Sequence, residues 1–158
     1  MNGLLIGRFQ PFHSGHLDAV LFALSRVENL WIGIGSSNKH NEKRNPFTAD
    51  ERREMIVSSI KPSIIDRTSI FNIPDVGDHE KWTFEIDQIV PKYDIVFTND
   101  EFTKTLFGKR GIDVITVTLK EREKFSGTNI RQLITDDKNW HDLVPKGTQS
   151  VLEKINAD

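Results

Sequence analysis

Apolar residues in this chain follow two rhythms that alternate along its length. Short unbroken runs at residues 3–6 and 30–35 have no polar interruption and read as strands buried on both faces. Between them Leu17, Val20, Leu21 and Leu24 recur at helical spacing and predict a helix from His16 to about Val27. Thr48-Ala49-Asp50-Glu51 is a capping box, in which the threonine and glutamate side chains satisfy backbone N–H groups reciprocally. The helix it opens buries Met55, Ile56 and Ile60, and Pro62 is expected to close it. A third strand at residues 70–73 ends at Pro74. Trp82, Ile86, Ile89 and Val90 then keep helical spacing up to Pro91. Residues 95–97 give a fourth strand, followed by a helix from about 101 to 107 for which Gly108 is a natural stop. Residues 113–119 give a fifth strand. Ile130, Leu133 and Ile134 mark a further helix, and two short helices broken by Pro145 and Gly147 complete the chain.

Strands alternating with helices imply an α/β fold: a doubly wound, five-stranded parallel sheet with helices on both faces and a short C-terminal helical segment. With 158 residues and no repeat or linker, a single domain is expected, residues 1–135 forming the core and 136–158 the C-terminal helices. Ligands in such sheets bind beyond the carboxyl ends of the strands, where strand order reverses. Four features gather at that edge by chain logic alone: the turn at residues 7–16, a basic loop at 36–46, Asn99, and the segment 125–131.

Composition narrows the function. A formal net charge of -2 disfavours broad electrostatic binding to nucleic acid or an anionic membrane. A local basic pocket remains open, because Arg8, Arg44, Arg122 and Arg131 all fall near predicted loops. The absence of cysteine removes thiol nucleophiles, disulfides and thiolate metal sites. No apolar run approaches the roughly 18 residues of a membrane span, and a cytoplasmic protein is expected. His40, His79 and His141 lack metal-ligand spacing, and Asp75, Asp78 and Glu80 read as solvated loop acids.

The turn Gly7-Arg8-Phe9-Gln10-Pro11-Phe12-His13-Ser14-Gly15-His16 links the first strand to its helix. Gly7 and Gly15 allow close backbone approach to a ligand. The free N–H groups and positive dipole end of the helix suit an anion, beside which His13 and His16 can supply a protonated imidazole or an N–H donor. Ser126-Gly127-Thr128-x-x-Arg131 opens a second helix and repeats the arrangement, with a guanidinium for a phosphate. Two such sites facing one cleft suit a triphosphate. Gly33 and Gly35 lie on one face of the second strand, where close packing and space for a nucleotide are equally good explanations. Trp82 shares its spacing with Ile86 and Ile89, so a core role also suits it.

His13-x-Gly15-His16 early and Ser126-Gly127-Thr128-x-x-Arg131 late resemble the paired motifs of the nucleotidyltransferase superfamily. Together with Asn45-Pro46-Phe47-Thr48-Ala49-x-Glu51-Arg52, and over about residues 3 to 155, the chain is similar to the archaeal-type nicotinamide mononucleotide (NMN) adenylyltransferases. The resemblance implies a Rossmann-like fold and the reaction of ATP with NMN to give NAD and pyrophosphate. It also implies Mg2+ held mainly by the ATP phosphates, with no metal ligand from the protein. It assigns catalysis to His13, His16 and Arg131, and ATP binding to Gly7, Arg8, Phe9, His13, Gly15, His16, Ser126, Gly127, Thr128 and Arg131. NMN contacts fall on Arg8, Arg44, Trp82 and Asn99. It further implies a homo-oligomer, in the form of a hexamer, with neither nucleic-acid nor membrane partners. Two loops depart from the family: Thr98-Asn99-Asp100 replaces a Gly-Asn-Pro type of segment, and residues 75–80 are only loosely similar. The alternatives are nucleotidyl transfer to phosphopantetheine, FMN or a polyol phosphate, nicotinic acid mononucleotide as acceptor, and a nucleotide sensor without catalysis.

Overall fold

The computed structural model describes residues 1–118 and 121–157; Leu119, which the pattern adds to the fifth strand, lies outside the described residues with Lys120 and Asp158. Strands β1 (Asn2–Gly7), β2 (Asn29–Gly35), β3 (Thr68–Ile73), β4 (Ile95–Thr98) and β5 (Asp113–Thr116) form one sheet. All pair in parallel, in the order β3-β2-β1-β4-β5. The chain builds outward from β1 to one edge and then returns to add β4 on its other side. The reversal therefore falls between β1 and β4, beside the turn that leaves β1.

Neighbouring side chains on a strand point to opposite faces, and each face buries its own apolar layer. On one side Leu5, Ile32 and Phe97 pack with Val20 of α1 (Ser14–Leu24), Met55 of α2 (Ala49–Ser59), Ile130 of α6 (Gly127–Thr135) and Leu152 of α7 (Lys146–Ala157). On the other, Leu4, Ile73 and Val96 pack with Ile86 of α4 (His79–Ile89) and Phe107 of α5 (Glu101–Lys109). The doubly wound reading is thus met, with α1, α2, α6 and α7 in one layer and α4 and α5 in the other.

Element boundaries differ from the sequence reading where local chemistry overrides periodicity. Helix α1 begins at Ser14, with His13 as its cap, and ends at Leu24. The capping box of Thr48 and Glu51 is present at α2, but Pro62 opens a short helix, α3 (Pro62–Ile65), at its first position, where a missing N–H does no harm. Gly108 does not stop α5; the helix runs on to Lys109 and Gly111, at φ +73°, makes the turn. Nor does Gly147 break the C-terminal segment. It sits inside α7 against the Ser58 backbone of α2, where any Cβ would collide, so glycine serves close helix packing. Gly33 likewise makes room for Ile73 and Ile6, whereas Gly35 lines the cleft described next.

Candidate active site

A cleft of about 490 Å³ opens at the carboxyl edge of the sheet, over the strand-order reversal. Its floor is the turn after β1. Phe9 holds a left-handed backbone at φ 53°, unusual for a bulky residue, and its buried ring meets Phe12 and His16 edge-on at 5.6 and 4.9 Å. A Cβ on Gly7 would come within 2.7 Å of that ring, so the first glycine is needed for the aromatic to fold under the turn. The Gln10 amide binds both backbone groups of Phe47, donating to its carbonyl at 3.1 Å and accepting from its N–H at 2.9 Å. This clamps the 36–46 loop region to the turn.

Arg52 completes the frame. It is fully buried and donates to the carbonyls of Arg8 (2.9 Å), Gly35 (2.8 Å), Ser36 (3.2 Å), Lys39 (3.2 Å) and Thr48 (3.1 Å). Burial pushes its pKa down, and Glu51 pulls it back up. The guanidinium thus joins the first turn, the end of β2 and the start of α2 through carbonyl dipoles alone.

His13 and His16 cap α1 reciprocally. His13 Nδ1 accepts from Gly15 N (3.1 Å) and His16 N (3.3 Å), while His16 Nδ1 accepts from His13 N (3.1 Å). An Nδ1 that accepts from backbone N–H is unprotonated, so each neutral ring carries its proton on Nε2. The rings stack with centroids 3.6 Å apart. Burial lowers the His13 pKa to about 4; burial, then the neighbouring His13, lowers that of His16. Of the two forms that the sequence left open, the neutral N–H donor is the one this environment favours at pH 7.

Across the cleft Ser126 caps α6, its Oγ accepting from Asn129 N at 3.1 Å. Arg131 reaches back to the first turn, donating to the Gln10 carbonyl at 2.7 Å and to Thr128 Oγ1 at 3.4 Å. Its pKa is lowered by burial first, then by Arg8 and Arg44. An added Cβ on Gly127 would stand 2.7 Å from Arg131 Nη1 and 3.0 Å from the Gln10 carbonyl, so this glycine lets the guanidinium lie flat across the helix end.

Gly7, Arg8, Phe9, His13, His16, Trp82, Asn99, Ser126, Gly127, Thr128 and Arg131 all line this one cleft. Gly15 does not; it lies behind His13, whose ring would stand 2.9 Å from a Cβ there. Exposed Arg44 also stays off the wall, although its charge reaches Arg131. Trp82 is half-buried against Phe107, with ring centroids 6.2 Å apart, and also lines the cleft. Sequence reasoning did not single out Gln10, Ser36 or Thr103 as lining residues, nor Arg52 as the frame, while Asp75, Thr98, Asp100 and Phe125 line the cleft from segments it had placed near the ligand. Gln10 and Arg52 stood inside quoted motifs, and a polar residue between aromatics or an arginine on an otherwise apolar helix face was the available signal. Among the described residues, no three His, Asp or Glu side chains stand together as a metal site.

Residues 4–133 match the cytidylyltransferase-like family model. A nicotinamide-nucleotide adenylyltransferase from Thermococcus sibiricus is 38% identical over 99% of this chain and 86% of its own length. One from Saccharolobus solfataricus is 39% identical over 99% and 92%. A solved bifunctional NMN adenylyltransferase/ADP ribose pyrophosphatase from Francisella tularensis superposes with a TM-score of 0.80 at 22% identity, over 98% of this chain and 49% of that one, a likeness of fold.

Proposed function

The chain belongs to the nicotinamide-nucleotide adenylyltransferase family, and from that premise we propose that its cleft joins ATP to nicotinamide mononucleotide, giving NAD and pyrophosphate. A phosphate oxygen of NMN attacks the α-phosphorus of ATP in line, the new P–O–P bond forms, and the α–β bridge breaks with its electron pair leaving on pyrophosphate. No covalent nucleophile is needed; positioning and charge stabilisation suffice. The observation that carries this reading is the pair of helix N-termini, α1 and α6, facing one cleft with three arginines, Arg8, Arg122 and Arg131, on its wall.

In this reading His16 donates its Nε2 proton to an α-phosphate oxygen, and His13 donates to the β- or γ-phosphate. As N–H donors fixed by the helix cap, the two rings stabilise charge through preorganised hydrogen bonds and need no proton transfer. Arg131, Ser126 and Thr128 hold the leaving pyrophosphate. Arg8 meets the NMN phosphate, Arg44 adds positive charge from its loop outside the wall, and Trp82 and Asn99 meet the base. Gly7, Phe9, Gly15 and Gly127 shape the backbone around ATP. Mg2+, when bound, would be held mainly by the ATP phosphates, as a hard cation favours oxygen donors, and would offset their charge. We read the enzyme as a cytoplasmic homo-oligomer, as the family resemblance implies; no described helix is long and apolar enough to cross a membrane.

The test is to incubate the protein with ATP, Mg2+ and, in turn, NMN, nicotinic acid mononucleotide, FMN and phosphopantetheine, following pyrophosphate and the dinucleotide by chromatography. NAD from NMN is the expected product. Turnover only with FMN or phosphopantetheine would sink the assignment.

A further inference from the structure

The charges lining the cleft are sorted. Arg8, Arg122 and Arg131 belong to the part of the wall built by the first turn and by the segment that leads into α6. Asp75 and Asp100 belong to the part built beyond β3 and β4, with Trp82 of α4. These parts lean toward opposite layers of the sheet, since α1 and α6 pack in one apolar layer and α4 and α5 in the other. Both carboxylates are held in place. Asp75 Oδ1 accepts from Ser36 Oγ at 2.8 Å. Asp100 Oδ2 accepts from Thr103 N and Oγ1 at 2.9 and 2.7 Å, as the cap of α5. Lys39 comes within 3.9 Å of Asp75, with both side chains more than 40% exposed (42% and 44%). At that distance and exposure the pair is weak and leaves most of the negative field in place.

We infer that Asp75 and Asp100 set acceptor choice: they favour a mononucleotide whose base is a cationic pyridinium with a neutral carboxamide, and disfavour one whose base carries a carboxylate. The inference rests on the reading above, that the acceptor is a pyridine mononucleotide. Such an acceptor is itself polar, with an anionic phosphate at one end and a cationic ring at the other. Only one orientation matches both ends of this cleft. The phosphate then meets the arginines, and the ring meets the carboxylates and the π-face of Trp82. A nicotinate base adds a negative charge at the carboxylate end. Each carboxylate then discriminates by about three- to tenfold, a moderate factor because these side chains are solvated.

The test compares kcat/KM for NMN and nicotinic acid mononucleotide at saturating ATP and Mg2+ in the native protein, Asp75→Asn, Asp100→Asn and the double variant. Asparagine keeps an acceptor for Ser36 and still caps α5, so thermal melting should be little changed. The native protein should prefer NMN. Each single variant should narrow the preference about three- to tenfold, the double variant further, with KM for ATP unmoved. Raising the salt concentration should narrow it most in the native protein, less in each single variant, and leave the double variant unmoved. An unmoved ratio in folded, active variants overturns the inference by itself. So does a loss of kcat restored by extra Mg2+ at constant ratio, which would make the carboxylates metal ligands. No dinucleotide from either mononucleotide in the native protein overturns the parent reading, and the inference with it.

Discussion

His13 and His16 hold each other's backbone: each Nδ1 accepts from the other residue's N–H, at 3.3 and 3.1 Å, across the first turn of α1. One hydrogen-bond exchange thereby does two jobs. It satisfies N–H groups that a helix start leaves unpaired, and it leaves both Nε2 atoms as the N–H donors of the neutral rings. The two jobs separate by substitution. His13→Asn retains a side-chain acceptor at the cap and should melt close to the native protein, while losing the Nε2 donor. His13→Ala should lose the donor and also about 1 kcal/mol of stability. Both should lower kcat. His16→Ala should lower kcat about 10²- to 10³-fold with ATP affinity changed far less, because its donor acts on charge that develops in the transition state. Equal losses in kcat and affinity would instead mark His16 as a simple binding group.

The same pair makes folding stability depend on pH in a stated direction. Burial holds the His13 pKa at about 4 against 6.5 for the unfolded chain, and the His16 pKa is lowered as well. Between these values the unfolded chain binds more protons than the native one, so stability falls as pH falls. It is fully present above about 6.5 and lost through about 4, an effect of about 3 kcal/mol from His13 at most. Protonation also destroys the Nδ1 acceptor. Urea melts from pH 7.5 to 4 should show the decline, and His13→Asn should flatten it. An equally steep decline in that variant would assign the effect to other groups.

How much of this was legible in the sequence depends on the range of the interaction. Strand runs of Val, Ile and Leu showed their core placement because a parallel strand is buried on both faces, and the sheet's strand number followed from their count. The capping box at Thr48 was readable because it is local. The cap made by His13 was not, since histidine is a rare cap and depends here on a second histidine's ring. Gly147 was misread because a glycine in sequence looks alike whether it ends a helix or admits a neighbouring backbone, and only Ser58 shows which; Gly108 was misread because a second glycine, Gly111, takes the left-handed turn three residues later. Arg52 stood at the end of the Asn45–Arg52 motif with no role assigned to it. Its role exists only where the first turn, β2 and the loop after it converge. Asp75 and Asp100 stood in the two loops least like the family's, where no motif indicates a side chain's direction.

Arg52 gives a prediction on positioning. Its five carbonyl partners include the Arg8 and Gly35 carbonyls at the cleft edge. Arg52→Met keeps much of the volume but leaves buried carbonyls without donors, which should lower stability by about 3 kcal/mol or more. Arg52→Lys, a single ammonium in place of a planar fork, should recover only part. In both variants KM for the two substrates should rise together with a fall in kcat, since the whole floor shifts. A loss confined to one substrate would argue against a shared frame.

Arg131 closes the cleft from the opposite side, and Gly127 makes its position testable without touching the charge. The guanidinium lies over the start of α6 with Nη1 on the Gln10 carbonyl at 2.7 Å, a space that a Cβ on Gly127 would enter. Arg131→Ala should reduce kcat about 10²-fold or more by removing charge from the leaving pyrophosphate. Arg131→Lys should recover part of it, because a point charge replaces a fork. Gly127→Ala leaves the arginine in the chain but displaces it from Gln10. It should therefore reproduce most of the Arg131→Ala loss in kcat while keeping a positive charge and near-native stability. The sharpest readout is the reverse reaction, NAD with pyrophosphate. There KM for pyrophosphate should rise in all three variants and KM for NAD much less. If Gly127→Ala retains native pyrophosphate affinity, the contact between Arg131 and Gln10 is not what places the guanidinium for the leaving group.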